Sequence, residues 1–379
     1  MVIQMKKSTK IILLILVIII LTLGAMYLID LNRMKDNKPV VFSTWGRKYA
    51  PPEEDRINTK LNIVVSLEDE ISANIAWCGT FNLIWNDLKN DLAKQDIVFT
   101  PQSKVAENLN KGTFNTSQLS EDSYYKVYGK TSKELKKQIE KAIKEKFNET
   151  SDILDDFDWE KDPNQSYFLY AMLKKEFEFP MVFTELENGE FGNYKNVRYF
   201  GINSSTEKQV REQVKVLYYN SSKDFAVKLK TKGNDEVIIS RGNKEKTFGD
   251  IYKGILSSAE KYEGTTDFTV VDTLKIPNIK FNLKKEITEV ENKPFLFSSG
   301  DEYYIEKALQ TIEFELDKRG GKIKSEAGMM VNKAAINPKE PREFLVDDTF
   351  TIFLRETEKD LPYFAAQISD ISQVQSDIK

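Results

Sequence analysis

Apolar residues recur with helical spacing in the first part of the chain. From Phe81 they fall three or four positions apart, on one face of a helix, and they predict a helix over residues 81–93: Phe81, Ile84, Trp85, Leu88, Leu92. A second and longer stripe predicts a helix over 131–147, with Thr131 and Glu134 forming a capping box at its start. Its apolar side consists of Leu135, Ile139, Ala142, Ile143 and Phe147.

After Trp159 the apolar period changes from helical spacing to two. Three segments alternate apolar and polar residues and predict half-buried strands: DFAVKLKTK (224–232), TIEFELDK (311–318) and DTFTIFLRE (348–356). With helices concentrated in the first half and strands in the second, the pattern predicts an α+β fold with large antiparallel or mixed sheets.

The N-terminal residues predict a membrane anchor. Residues 11–29 carry no charge and would span roughly 28 Å as a helix, close to the thickness of a bilayer core. Lys6, Lys7 and Lys10 precede them and place residues 1–10 in the cytoplasm. Residues 30–60 then form an extracellular spacer and 61–379 a single domain outside the cell membrane. The alternative is a cleaved signal peptide and a secreted protein.

The amino-acid composition excludes several classes of ligand and of catalytic site. The net charge of −4 comes from interspersed Lys and Glu, without the basic stripe that nucleic acid requires. The chain has no histidine and one cysteine, Cys78, which excludes an internal disulfide, Ser-His-Asp and Cys-His nucleophile pairs, and His-ligated zinc. We expect no metal, no cofactor and no enzymatic activity.

The remaining motifs are weak. S-x-x-K occurs at Ser205/Lys208 and Ser258/Lys261, and a Ser-Lys hydrolase is a distant third hypothesis because both matches are expected by chance. The acidic run 155–162 lacks the glycine and terminal glutamate of a calcium loop and is interpreted as a solvated turn. Cys78 has no cationic partner in the sequence and is interpreted as a core residue.

Six segments, taken in chain order, resemble the serpin family of serine protease inhibitors. They are NIAWCGTFNL (74–83), SKELKKQIEKAIKEKFNETSDILDD (132–156), YFLYAMLKKEFEFPMVF (167–183), DTLKIPNIKFNL (272–283), DEYYIEKALQTIEFELDKRGGKIKSEAG (301–328) and EFLVDDTFTIFLRETEKDLPYFAAQIS (343–369). Their order carries the resemblance over about residues 70–370. Where the family's sheet opens, Cys78 and Gly79 replace Ser-Pro and Phe177 replaces a tryptophan.

The resemblance implies several helices around large sheets, with an exposed reactive-centre loop. Such a loop would explain why the regular alternation of apolar and polar residues stops for some twenty residues before Phe344. In the family this loop is bait for a protease and, once cleaved, inserts as an extra strand in the main sheet. The hinge would comprise Gly320, Gly321, Lys322, Ile323, Lys324, Ser325, Glu326, Ala327 and Gly328.

Alternation along the hinge permits insertion. In an inserted strand Gly321, Ile323, Ser325 and Ala327 would face the core, while Lys322, Lys324 and Glu326 would face water.

The scissile bond can be bracketed with family loop lengths. Counting from the hinge places the residue before the cut at Ala334, and counting back from Phe344 places it at Ile336. Lys333 would suit a trypsin-like pocket, and Ala334 or Ala335 a small one.

Two functions remain open on this resemblance. The first is a membrane-anchored inhibitor that traps serine or cysteine proteases by loop cleavage and insertion. The second is a non-inhibitory surface module that binds a partner or has a structural role, with a loop that does not insert.

Overall fold

The structure, a computed structural model, describes residues 61–162, 165–321 and 341–375. The segments predicted as cytoplasmic, transmembrane and spacer, residues 1–60, lie outside this part of the chain. Among the residues that are described, no helix combines the length and the apolar character needed to cross a membrane.

The described part of the chain contains five α-helices. They are α1 (Thr80–Asp87), α2 (Lys104–Asn110), α3 (Lys133–Phe147), α4 (Lys208–Glu212) and α5 (Phe248–Glu260). A π-helix, Leu88–Ala93, continues α1, so the helix predicted over 81–93 is confirmed in position while its second half has wider turns.

Strands are spread along the whole described region. They are β1 (Asn62–Ile63), β2 (Ile75–Cys78), β3 (Tyr124–Lys130), β4 (Tyr167–Leu173), β5 (Phe177–Glu178), β6 (Thr184–Phe191), β7 (Tyr194–Ile202), β8 (Val214–Ser221), β9 (Asp224–Lys230), β10 (Asp235–Arg241), β11 (Thr273–Pro277), β12 (Ile279–Glu286), β13 (Pro294–Leu296), β14 (Glu302–Tyr304), β15 (Leu309–Leu316), β16 (Gly320–Gly321), β17 (Glu343–Leu345), β18 (Phe350–Glu356) and β19 (Phe364–Ile368). The α+β class with several sheets is confirmed. The expected segregation is wrong, because β1–β5 precede residue 180 and α5 lies in the second half.

A seven-stranded sheet forms the centre, in the order β1-β2-β19-β18-β10-β9-β8, with only the β1–β2 pair parallel. Its strand β18 was predicted to be half-buried, but both of its faces are covered. On one face Phe353 packs against Phe248 and Tyr252 of α5. On the other face Phe364 of the neighbouring β19 stacks on Phe314 of β15, with 4.5 Å between ring centroids.

Two antiparallel strand pairs, β3–β4 and β12–β15, lie over the central sheet. Ile312, Phe314 and Leu316 of β15 belong to the same core as the central sheet, and Ala171 and Leu173 of β4 pack against that core. Alternate residues of β4 point the other way, where Phe168 and Tyr170 pack with the apolar side of α3. Each of the two inner strands therefore has one face on the core.

A four-stranded sheet, in the order β17-β11-β7-β6, completes the architecture relevant to function. Its edge strand β17 pairs parallel to β11, with Phe344 opposite Leu274. Phe344 is fully buried and contacts Phe225 and Phe268. This sheet holds the chain where it resumes after the segment 322–340.

The start of α3 differs from the predicted capping box. Ser132, rather than Thr131, is the N-cap, and its hydroxyl accepts a hydrogen bond from the Leu135 amide at 3.1 Å. The Thr131 hydroxyl instead bonds with that of Ser166 at 2.7 Å. Glu134 therefore occupies the second helical position, one residue too early to close a capping box.

Replacing the cap should destabilise the protein selectively. We expect Ser132→Ala to lower the free energy of unfolding by about 1 kcal/mol, because the Leu135 amide at the start of α3 loses its hydrogen-bond acceptor. Glu134→Gln, which tests the pairing predicted from the sequence, should change it by less than about 0.5 kcal/mol. Urea unfolding followed by circular dichroism measures both variants, and equal losses would contradict the assignment of Ser132 as the cap.

Candidate functional site

A cleft separates the two strand pairs that lie over the central sheet. Its volume is about 1320 Å³, and both β4 and β15 line it. β4 is paired on one edge with β3, and β15 on one edge with β12. Within the described residues no strand forms a ladder with the second edge of either, so two rows of backbone donors and acceptors border the cleft.

A short strand, β16, already lies between the ends of these two edges. After β15 the chain turns at Lys318 and Arg319, and Gly320 and Gly321 pair antiparallel with Glu178 and Phe177 of β5. Gly320 also forms an antiparallel bridge with Asp317 at the end of β15. Because β5 follows β4 after three residues without a turn, a strand continuing β16 would run antiparallel to both β4 and β15.

The residue at position 320 must be glycine. Its φ of 117° lies in the region that L side chains rarely adopt, and a Cβ there would approach the Phe177 carbonyl oxygen to 2.3 Å. The Arg319 carbonyl accepts a hydrogen bond from the Phe179 amide at 2.9 Å, and the Lys318 carbonyl one from Phe183 at 2.8 Å. These contacts fasten the turn to the chain that follows β5.

The structure places only part of the predicted hinge. Gly320 and Gly321 form β16, whereas the other hinge residues, Lys322, Ile323, Lys324, Ser325, Glu326, Ala327 and Gly328, lie outside the described residues. The same holds for the predicted scissile region, Lys333, Ala334, Ala335 and Ile336.

Of the residues predicted to lie where the sheet opens, Cys78 and Phe177 line the cleft. Phe177 lies opposite Gly321 and is buried against Phe179. Cys78 ends β2, and its carbonyl oxygen accepts a hydrogen bond of 2.9 Å from Gln310 of β15. Gly79 is the N-cap residue before α1, where any Cβ would overlap the ring of Phe114.

The thiol of Cys78 is expected to be unreactive in this position. Burial raises the pKa of its thiol, with weaker opposing hydrogen bonds from Thr80 and Gly79, so the neutral form dominates at physiological pH. This agrees with its interpretation as a core residue.

Two polar atoms beside the cleft have no hydrogen-bond partner among the described residues. They are Oε1 of Gln310, whose amide nitrogen is bonded to Cys78 and Thr80, and Oε2 of Glu176 between β4 and β5. A buried acceptor without a donor costs about 1–3 kcal/mol. Both atoms therefore provide acceptors at the border of the cleft.

Lys175 forms a buried ionic cluster that sequence reasoning missed. Its Nζ lies 3.0 Å from Asp235 Oδ1 on β10 and 2.8 Å from Glu356 Oε1 on β18. One signal was present in the sequence, since Lys175 continues the core-facing positions of β4 and a lysine there needs a buried partner. Its partners, far away in the chain, could not be identified without the fold.

The chain after the segment 322–340 is held by an arginine. Arg342 donates to both Asp272 carboxylate oxygens, from Nη2 at 2.7 Å and Nε at 3.2 Å, and to the Thr265 and Asp267 carbonyls. Burial alone would raise the pKa of Asp272, but the hydrogen bonds from Arg342 and Thr269 outweigh it and lower that pKa. This cluster anchors β17 at the edge of the four-stranded sheet.

No group of three or more histidine, cysteine, aspartate or glutamate side chains in the described part of the chain is arranged to hold a metal ion. Ser205, from one of the S-x-x-K matches, lies in an exposed turn where its hydroxyl donates to Asn203 at 2.7 Å.

The comparisons with known proteins give similarity in structure only. No protein-family model and no curated protein matches the sequence. Among solved structures, thyroxine-binding globulin in complex with thyroxine is similar at 12% identity and a TM-score of 0.46, covering 79% of this chain and 93% of its own. Serpin48 of the insect Tenebrio molitor is similar at 14% identity and a TM-score of 0.45, covering 79% and 92%. Human kallistatin is similar at 12% identity and a TM-score of 0.45, covering 78% and 91%. Similarity at this level does not assign the chain to a family.

The Asp272–Arg342 pair should make stability depend on pH. Because the folded pKa of Asp272 is lowered from 3.8, its stabilising contribution is present above that ordinary value and is lost as the pH falls through the lower folded pKa. We expect Asp272→Asn to lower the free energy of unfolding by about 1–3 kcal/mol at pH 7 and by progressively less below about pH 4. Denaturant unfolding at a series of pH values measures this difference.

Asp267→Asn is the matched control, since its carboxylate forms an ion pair with Lys215 at the surface, where the Asp267 side chain is 76% exposed. Its effect should stay within about 0–1 kcal/mol. A deficit for Asp272→Asn that stayed constant down to pH 2 would contradict the proposed contribution of the carboxylate.

Proposed function

We propose that this protein is a serpin-like protease inhibitor, and that its loop, after cleavage, inserts as a strand between β4 and β15. The observation that carries the proposal is the pair of strand edges that border the cleft, with β16 already seated between their ends. The similarity to serpin structures agrees with this but does not carry it.

The two observed pairings define the register of a longer inserted strand. Extending the β5–β16 register would place Ser325 opposite Leu173 of β4 and Ala327 opposite Ala171. Extending the bridge between Asp317 and Gly320 would place Ser325 opposite Ile312 of β15. Leu173 and Ile312 both face the core, so the two registers agree that the odd-numbered hinge residues would point inward.

The polar residues of the hinge fit the same register. Lys322 would lie between Glu176, whose Oε2 has no partner among the described residues, and Glu315. Cross-strand pairs of opposite charge are worth about 0.2–1 kcal/mol each. The larger gain would come from pairing two rows of backbone groups at once.

The type of protease that is inhibited and the cellular location of the inhibitor are inferred from the sequence alone. Lys333, Ala334, Ala335 and Ile336 bracket the bond offered to a serine or cysteine protease, and residues 11–29 would hold the inhibitor on the outer face of the cell membrane. If the N-terminal segment is cleaved, the inhibitor is secreted. The protein would need no cofactor and would perform no catalytic turnover.

One observation favours a second function, that of a non-inhibitory surface module whose loop binds a partner. In the extended register Ile323 would lie opposite Lys175, beside the buried ionic cluster. An oversized apolar residue at a tight site costs about 1–3 kcal/mol, which opposes insertion at its first steps. The strand would then end at Gly321.

Insertion can be tested by cutting the loop and measuring thermal unfolding. We expect the full chain, nicked between residues 328 and 340 by a low dose of protease, to melt at least about 10 °C higher than the intact chain, since a new strand adds several kcal/mol and each kcal/mol adds roughly 2–4 °C in domains of 150–250 residues. Ser325→Arg should abolish the increase, because it would place a charge against Ile312 and Leu173.

The control is Lys324→Arg, on the face that would remain in water, which should keep the increase. A nicked wild type that melts at or below the intact temperature would rule out insertion and favour the non-inhibitory module. If the increase is observed, a detergent-resistant covalent complex with a trypsin-like or an elastase-like protease then tests inhibition.

A further inference from the structure

Lys175, Asp235 and Glu356 come from three separate elements and meet at one point. Lys175 follows β4, Asp235 begins β10 and Glu356 ends β18. The Lys175 amine lies 3.0 Å from an oxygen of Asp235 and 2.8 Å from an oxygen of Glu356, so an amine, a carboxyl carbon and a second carboxylate are all within reach of one another.

The cluster is screened from water. The side chains of Asp235 and Glu356 are 7% and 3% exposed, and that of Lys175 is 13% exposed. Tyr363, fully buried, donates a hydrogen bond to Asp235 Oδ1 at 3.0 Å. Ser123 donates to Glu356 Oε1 at 3.0 Å. Every acidic group is held in place by a donor other than the lysine.

Other lysine–carboxylate pairs among the described residues lack this combination. Lys126 forms an ion pair with Asp87, and its side chain is 29% exposed. Lys174, adjacent in sequence, faces Glu149 and Glu176 at 2.7 and 3.1 Å, but all three side chains are more than a fifth exposed. Lys174 therefore provides an internal comparison with the same number of carboxylates in contact with water.

The ionisation of the two acids favours different roles for them. Burial raises the pKa of Asp235 despite the opposing effect of Lys175, which favours its neutral carboxylic acid. Burial also acts to raise the pKa of Glu356, but hydrogen bonds from Lys175 and Ser120 outweigh it and lower that pKa, which favours the carboxylate. Asp235 is thus the acid that can be attacked in its neutral form, while Glu356 is ionised and lies 2.8 Å from the amine whose proton it would take.

We propose that Lys175 and Asp235 condense into an intramolecular isopeptide bond, with Glu356 as the general base. Glu356 takes a proton from the Lys175 ammonium, and the free amine attacks the Asp235 carboxyl carbon. The Nζ–Cγ bond forms, the bond from Cγ to the hydroxyl oxygen breaks, and one water leaves with the second proton from the nitrogen. Glu356 ends the reaction protonated, so charge and atoms balance without an oxidant or a cofactor.

Burial supplies the driving force that this condensation lacks in water. The reacting atoms are held in contact by the fold, and a released water has little access for the reverse reaction. Tyr363 is placed to donate a hydrogen bond to the oxygen that gains charge during the attack. The isopeptide bond would join the C-terminal end of β4 covalently to the central sheet. The single cysteine of the chain excludes an internal disulfide, so no other covalent cross-link of that kind is available.

The mass of the intact protein tests the proposal directly. We expect the folded full chain to be lighter than its sequence by the mass of one water. After denaturation and trypsin digestion, a branched peptide should join residues 175–195 to residues 233–241, because the acylated Lys175 is no longer a cleavage site. Lys175→Arg and Glu356→Gln should both restore the full sequence mass.

Asp235→Asn gives a second, independent readout. The same attack on an amide releases ammonia instead of water, so this variant should be lighter than its sequence by one ammonia. A folded wild-type chain with its complete sequence mass would overturn the proposal. An equal yield of branched peptide at Lys174 would also overturn it, because that result would show that burial is not required. The wild-type mass decides even if a variant fails to fold.

Discussion

The facing edges of β4 and β15, which have no ladder partner among the described residues, are the constraint on which the rest of the structure depends. A sheet edge inside a folded protein has to be paired, covered or solvated, because each lone N–H or C=O group is costly once water is removed. Here a cleft of about 1320 Å³ keeps the two edges apart. The core residues of both strands are nevertheless packed on the central sheet, so the edges are held at a distance without being free to meet.

Much of the local structure could be predicted from the sequence, since it depends on neighbours in the chain. Period-two alternation identified β9, β15 and β18. The N-cap residue of α3 was harder to predict. Ser132 and Thr131 are equally suited to cap the helix, and only the tertiary contact of Thr131 with Ser166 decides between them. Burial of β18 on both faces also required knowing that α5 covers it.

The site was predictable only in part, for a physical reason. Its hinge was predicted from residue order and stays a prediction beyond Gly321. The cleft arises because β4 and β15, distant in the chain, form no ladder with each other in the part of the chain that the structure describes, and no local sequence pattern signals this. Lys175 illustrates the same limit: a charge at a core-facing position signals a buried partner, yet only the fold brings Asp235 and Glu356 to it. Arg342 likewise acquires its role from carbonyls on a neighbouring loop.

The tight turn at Lys318 and Arg319 has a kinetic consequence. Closing the first turn of a hairpin is its slow and entropically costly step, whereas adding further residue pairs to an existing turn is comparatively fast. With Gly320 already in its left-handed conformation and β16 already paired, that step has been completed during folding. Any growth of β16 would therefore be elongation from a preformed nucleus. Its rate would depend on how quickly the residues after Gly321 become free to pair.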